Sequence, residues 1–173
     1  MKKWLWIIAG TLAALVGAMW AIGEMLPQGH VASRQARYTQ SPAAIWQAIT
    51  EAEKFPQWRA DVKSVARKLE KNGLPAWVET SDSGEIPLEV TEMTAPRRLV
   101  TKIADASLPF GGAWTFEIAA VEGGATLRIT ENGEVYPPIF RFLSRFVFGH
   151  AATIEQYLKA LGRKFGEDVS PEA

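Results

Sequence analysis

The sequence predicts an α+β domain, a twisted antiparallel sheet covered by one long C-terminal helix, with a transmembrane helix in front of it. Three observations predict this. An apolar run with a single charged residue occupies Trp4 to Leu26. Alternating segments separated by turn signals fill the middle of the chain, as half-buried strands do. An apolar stripe at steps of three and four residues then runs from Ile139 to Phe165.

The first run reads WLWIIAGTLAALVGAMWAIGEML, and only Glu24, near its end, is charged. As a helix it spans roughly 34 Å, enough for a hydrocarbon core of about 30 Å. Trp4, Trp6 and Trp20 lie towards its ends, where indole rings favour the membrane interface. A cleaved signal peptide is the alternative. The run is longer than the usual apolar region of such a peptide, and no A-x-A-like site follows it closely. Val31-Ala32-Ser33 is the weak cleavage candidate. Lys2 and Lys3 precede the run, whereas Arg34 and Arg37 follow at a greater distance. The positive-inside rule therefore predicts a single pass through the cytoplasmic membrane with the C-terminal domain outside, periplasmic in a double-membraned bacterium. The expected division is an anchor over 1–26, a linker over 27–31, a domain over 32–166 and a tail over 167–173.

Val31 to Gln40 reads as a first strand. Ser41-Pro42 places a cap and a first-turn proline at a helix start, and Ile45, Trp46 and Ile49 follow at helical spacing. A second short helix is expected over Glu53 to Trp58. Strands are expected over 62–70 and 76–80, joined through Asn72-Gly73, a strong hairpin signal. Ile86, Leu88 and Val90 alternate, as do Leu99, Thr101 and Ile103. Trp114, Phe116 and Ile118 mark the next strand, Gly123-Gly124 a turn, and Leu127, Ile129 and Val135 the last strand. Pro137-Pro138 ends it, because proline adds no N–H to the ladder. Ile139, Leu143, Val147, His150, Ile154, Leu158, Leu161 and Phe165 then form the stripe of one helix, with Gly149 a point where it can bend. A sheet of this size needs a cover for its apolar face, and this helix alone is long enough.

Composition narrows function mainly by exclusion. Apolar residues at 47% and charged residues at 22% indicate a globular chain, not a disordered one. Lys+Arg and Asp+Glu number 19 each, so there is no basic footprint for nucleic acid. The absence of cysteine removes disulfides, thiolate ligands and thiol nucleophiles. His30 and His150 share no metal-ligand spacing. No nucleophile elbow or phosphate loop is present. No cofactor and no metal are expected.

The order of elements and several short stretches resemble the SRPBCC superfamily. Those stretches are Ser41-Pro42-Ala43-Ala44-Ile45-Trp46, Phe55-Pro56-Gln57-Trp58, Leu108 to Trp114, and Ile129 to Glu134 running into Pro138-Ile139-Phe140. The resemblance covers about Ala32 to Gly166. It implies a START-like helix-grip fold, in which a curved antiparallel sheet wraps around a long C-terminal helix and leaves a cavity between them. Its members include lipid carriers and the polyketide cyclase/dehydrase group, so fold alone does not choose a function.

Glu131 shares strand phase with Leu127, Ile129 and Val135, and Glu92 shares phase with Ile86, Leu88 and Val90. A carboxylate on an apolar face needs a partner or a raised pKa. The plainer reading of both is a strand-end acid reaching solvent or an arginine. His150 lies on the helix stripe, as a satisfied core histidine or as a polar head in a pocket. If Glu131 and His150 pair, the histidine pKa rises. Trp58, Trp77 and Trp114 are core aromatics or a pocket lining, and Phe110 is a core residue or a cap on a cavity mouth. Phe140, Phe142, Phe146 and Phe148 are too many for one stripe, so some face a sheet edge, a partner or the membrane. The first functional reading is a membrane-anchored binding module for a hydrophobic or amphipathic, lipid-like molecule. The others are a cyclase/dehydrase-type enzyme using Glu131 and His150, and an envelope interaction domain with a filled core.

Overall fold

The computed structural model describes residues 2–173. Helix α1 (Lys2–Met25) is apolar along its length, and its stretch Lys3–Met25 is long and apolar enough to cross a membrane. Strand β1 (Gly29–Tyr38) starts two residues before the expected strand, so the linker is shorter than 27–31 and His30 lies within the sheet. Helix α2 (Pro42–Thr50) opens as its sequence dictates: the Ser41 hydroxyl accepts from the Ala44 N–H at 3.3 Å, and Pro42 occupies the first turn. A 3₁₀ turn (Ala52–Gln57) follows.

Six further strands complete the sheet: β2 (Ser64–Arg67), β3 (Ala76–Ser81), β4 (Gly84–Thr94), β5 (Arg98–Ile103), β6 (Phe110–Val121) and β7 (Gly124–Val135). The order is β1-β7-β6-β5-β4-β3-β2, antiparallel throughout. Every connection from β2 to β7 is thus a hairpin between neighbours, and only β1 returns from the start of the domain to pair with its last strand. Asn72 and Gly73 both take positive φ, 55° and 73°, which lets the chain reverse between β2 and β3 in two residues.

The C-terminal helix departs from expectation. It is divided into α3 (Pro138–Leu143), a π-helical turn (Ser144–Phe148) and α4 (Ala152–Lys164), with Gly149 at φ 76° between the last two. A π turn and a left-handed glycine break the 3.6-residue phase, so the stripe is not one face. Ile154, Leu158 and Leu161 of α4 are fully buried against the sheet, while Val147 is 61% exposed. Helix α3 packs instead on α1, so closely that a Cβ on Gly23 would overlap the Pro138 carbonyl. Arg141 reinforces this contact by donating to the Leu26 carbonyl at 2.8 Å.

The core lies between the sheet, α2 and α4. Leu99, Leu127 and Ile129 from the sheet meet Ile45 and Ile49 from α2 and the α4 stripe. The buried Tyr38 hydroxyl donates to the Leu158 carbonyl at 2.9 Å, tying β1 to α4. The segment expected as a tail also docks: Glu172 exchanges backbone hydrogen bonds with Gln35, and Val169 is buried.

Candidate functional site

Between the concave sheet face, α4 and the α3–π segment lies a cavity of about 620 Å³. Strand alternation aims Leu88 of β4, Leu99, Thr101 and Ile103 of β5, and Trp114 and Phe116 of β6 into it. Phe140 and Leu143 of α3 and Phe148 of the π turn form a further wall. The lining is mostly apolar, and two clusters of ionisable side chains contribute to it.

The first is a row of three side chains. Glu131 Oε1 lies 3.8 Å from His30 Nε2, and the His30 ring stacks on His150 with centroids 4.0 Å apart and planes 22° apart. Glu131 and His150 face the same cavity, but His30 stands between them, so the direct pair, one of the readings open to these residues, is not the contact they make. Gly133 makes the row possible: a Cβ there would run into the His30 ring. His30 also had a sequence signal, since it shares strand phase with Ala32, Ala36 and Tyr38.

Burial pushes the Glu131 carboxyl above the usual carboxylate range, and the Trp114 indole across the β6–β7 ladder works the other way. Glu131 Oε2 is buried with no hydrogen-bond partner among the described residues. Burial and then the neighbouring His150 lower the His30 pKa; burial and then Arg145 lower that of His150. The rise that a Glu131–His150 pair would bring therefore does not arise, and burial sets the direction of both shifts. Both folded histidine values lie below the unfolded 6.5, so that part of the stability is present above 6.5 and lost as pH falls through the folded values. Glu131 has the opposite sign: its contribution is complete below the unfolded 4.5 and lost as pH rises through its folded value. We expect NMR titration to place both imidazole midpoints below 6.5. We also expect Glu131→Gln to gain stability relative to the parent as pH rises from 4.5 in urea unfolding. A histidine midpoint above 6.5 would restore the ion pair and remove this description.

The second polar place is the cavity floor. Arg59 grips Glu79 with both terminal nitrogens, each contact 3.0 Å, and reaches Asp61 at 2.7 Å. The Trp77 indole donates to Glu79 Oε1 at 3.1 Å. The Arg59 guanidinium lies 5.2 Å from the Phe55 and Tyr157 ring centres. Desolvation opposes the Arg59 charge, but Glu79 and then Asp61 outweigh it and hold its pKa up. Burial chiefly raises the Tyr157 pKa, keeping the phenol neutral. None of Arg59, Glu79 or Tyr157 was a sequence candidate. The available signal was Glu79 in strand phase with Trp77.

Of the sequence candidates, the structure brings Glu131, His150, Trp77, Trp114 and Phe110 to the cavity wall. Trp58 packs behind it, edge-on to Phe55 and Tyr157 at 5.6 and 5.3 Å. Glu92 is a correction. A β-bulge between Val90 and Glu92 shifts the phase of β4, and Glu92 points to solvent, where Arg98 donates to it at 2.9 Å.

The model of the family described as Activator of Hsp90 ATPase homolog 1-like protein matches residues 39–164. The chain belongs to this family. Solved structures of proteins with the START-like fold superpose on this chain. A START superfamily protein from Mycobacterium smegmatis superposes with a TM-score of 0.64 at 19% identity, over 78% of this chain and 96% of that one. A protein from Thermobifida fusca gives 0.61 at 17%, over 79% and 93%. The di-domain ARO/CYC StfQ from the steffimycin biosynthetic pathway gives 0.63 at 13%, over 80% of this chain and 52% of that one. At these identities the likeness is one of fold. No curated protein matches the chain significantly.

Proposed function

We propose that this chain is a membrane-anchored binding module for an apolar or amphipathic, lipid-like small molecule. The cavity of about 620 Å³ carries the reading: it is the size of ordinary small-molecule sites and, like them, apolar with a few convergent polar groups. A domain with a filled core, the interaction-domain alternative, has no use for such a space. Helix α1 supports the anchor by length and composition, and Lys2 and Lys3 before it favour an extracytoplasmic domain. With α3 packed on the end of α1, the cavity wall formed by Phe140, Leu143 and Phe148 then stands close to the bilayer.

The test is to extract full-length protein with a mild detergent and to identify bound molecules by native mass spectrometry. We expect membrane fractionation resistant to carbonate, a copurifying amphiphile, and its loss in Ile103→Trp, which fills the cavity from β5. Protein that carries no ligand and takes up no apolar fluorophore would refute the binding reading. A mature N-terminus near Arg34 would refute the anchor.

The row Glu131–His30–His150 favours a second reading, an acid–base enzyme of the cyclase/dehydrase kind. A carboxyl pushed up and imidazoles pushed down bring the groups towards a common range, as general acid–base chemistry needs. The ARO/CYC likeness of fold is compatible with it.

A further inference from the structure

Behind the two stacked histidines lies a second cavity of about 380 Å³, bounded by the end of α1, the start of β1, α3 and the π turn. His30, Val135 and His150 line both cavities and form their common wall. The small one differs from its neighbour in charge. Arg141 and Arg145, one helical turn apart, both line it, and no carboxylate does among the described residues. Arg141 is 8% exposed, and its Nε is buried with no hydrogen-bond partner among the described residues. Its only carboxylate contact among the described residues is long: Glu24 lies 3.4 Å from Nη2 and is about half exposed. A buried guanidinium with an unused donor is costly unless an acceptor completes it, and an anion is the acceptor that also offsets its charge. Arginine's planar fork suits phosphate and carboxylate groups.

We propose that this cavity is an anion site that takes the phosphate or carboxylate headgroup of an amphiphile, held by Arg141 and Arg145. This rests on the reading that the adjoining large cavity takes the apolar part of the same ligand, and it narrows that ligand to an anionic one. The position agrees with the source, because the site adjoins the last turn of α1, where lipid headgroups meet the chain. Arg145, exposed on the π turn, is the residue able to meet the ligand first. Arg141 is the buried partner.

The test uses full-length protein in neutral detergent and calorimetric titration with dodecyl phosphate, dodecanol and inorganic phosphate. Dodecyl phosphate is expected to bind about tenfold or more tighter than dodecanol, the effect of adding charge-assisted hydrogen bonds. Arg145→Gln and Arg141→Gln are each expected to erase most of that advantage and leave dodecanol affinity unchanged. Arg145 is exposed, so its variant remains informative if Arg141→Gln does not fold. Equal affinity for the two alkyl probes, or an advantage that survives in Arg145→Gln, overturns the anion site and leaves the apolar cavity standing. Inorganic phosphate binding as tightly as dodecyl phosphate overturns the headgroup assignment in favour of a free-anion site. Failure of both alkyl probes overturns the apolar reading together with the proposal built on it.

Discussion

Replacing Leu158 with alanine is expected to destabilise the fold by about 2–5 kcal/mol, the range for deleting a buried leucine side chain. Leu158 is fully buried at the centre of α4, beside Ile154 and Leu161, where the helix closes the open face of the sheet. The Tyr38 hydroxyl bonds the Leu158 backbone carbonyl, so the substitution keeps that link and tests side-chain packing alone. Neighbours held by β1 and β7 cannot collapse fully into the gap, which places the effect inside the range and not below it. Val147→Ala is the matched comparison. Val147 belongs to the same apolar stripe in the sequence but lies 61% exposed on the π turn, so its truncation is expected to stay within about 0.5 kcal/mol. Urea unfolding of the two variants measures both. Equal effects would mean that the helix is continuous and docked along its whole length.

That contrast also shows where sequence pattern carries information and where it stops. Alternation located the strands because every inward residue of β5, β6 and β7 meets the same core, so the period of two is preserved over each element. Local chemistry located the ends: Ser41-Pro42 caps α2 and Asn72-Gly73 reverses the chain without help from distant residues. Pattern and structure part where one residue changes the phase. The bulge at Glu92 turned an inward acid outward, and Gly149 with the π turn before it sent Leu143 and Val147 onto a different face from Leu158. Apolar residues continue through that break because α1 and the cavity also need apolar neighbours, so composition alone does not disclose it. The site was half legible. Glu131 and His150 each carried a polar group in an apolar phase, but their joining through His30 depends on pairing β1 with β7, a contact across 101 residues of sequence. The Arg59–Glu79 pair is hidden for a similar reason, since it links the end of the 3₁₀ turn to β3.

Glu79→Ala is expected to destabilise the protein by about 3 kcal/mol, the lower part of the range for breaking a buried ion pair. The loss comes less from the pair than from what the substitution leaves behind. Arg59, whose side chain is 13% exposed, would keep its charge over the Phe55 and Tyr157 rings with only Asp61 as an acid partner. The Trp77 indole N–H would lose its acceptor in the same step. Asp61 is about half exposed and remains bound to Arg59, which is why the lower end of the range applies. The double variant Arg59→Met with Glu79→Leu removes both charges and leaves one orphaned donor, so it is expected to be more stable than Glu79→Ala alone. A double-mutant cycle with the single variants Arg59→Met and Glu79→Leu, by urea unfolding at neutral pH, then gives a large coupling energy. Additive effects of the two single substitutions would mean that the guanidinium finds water in the cavity and that the floor is not closed by this pair.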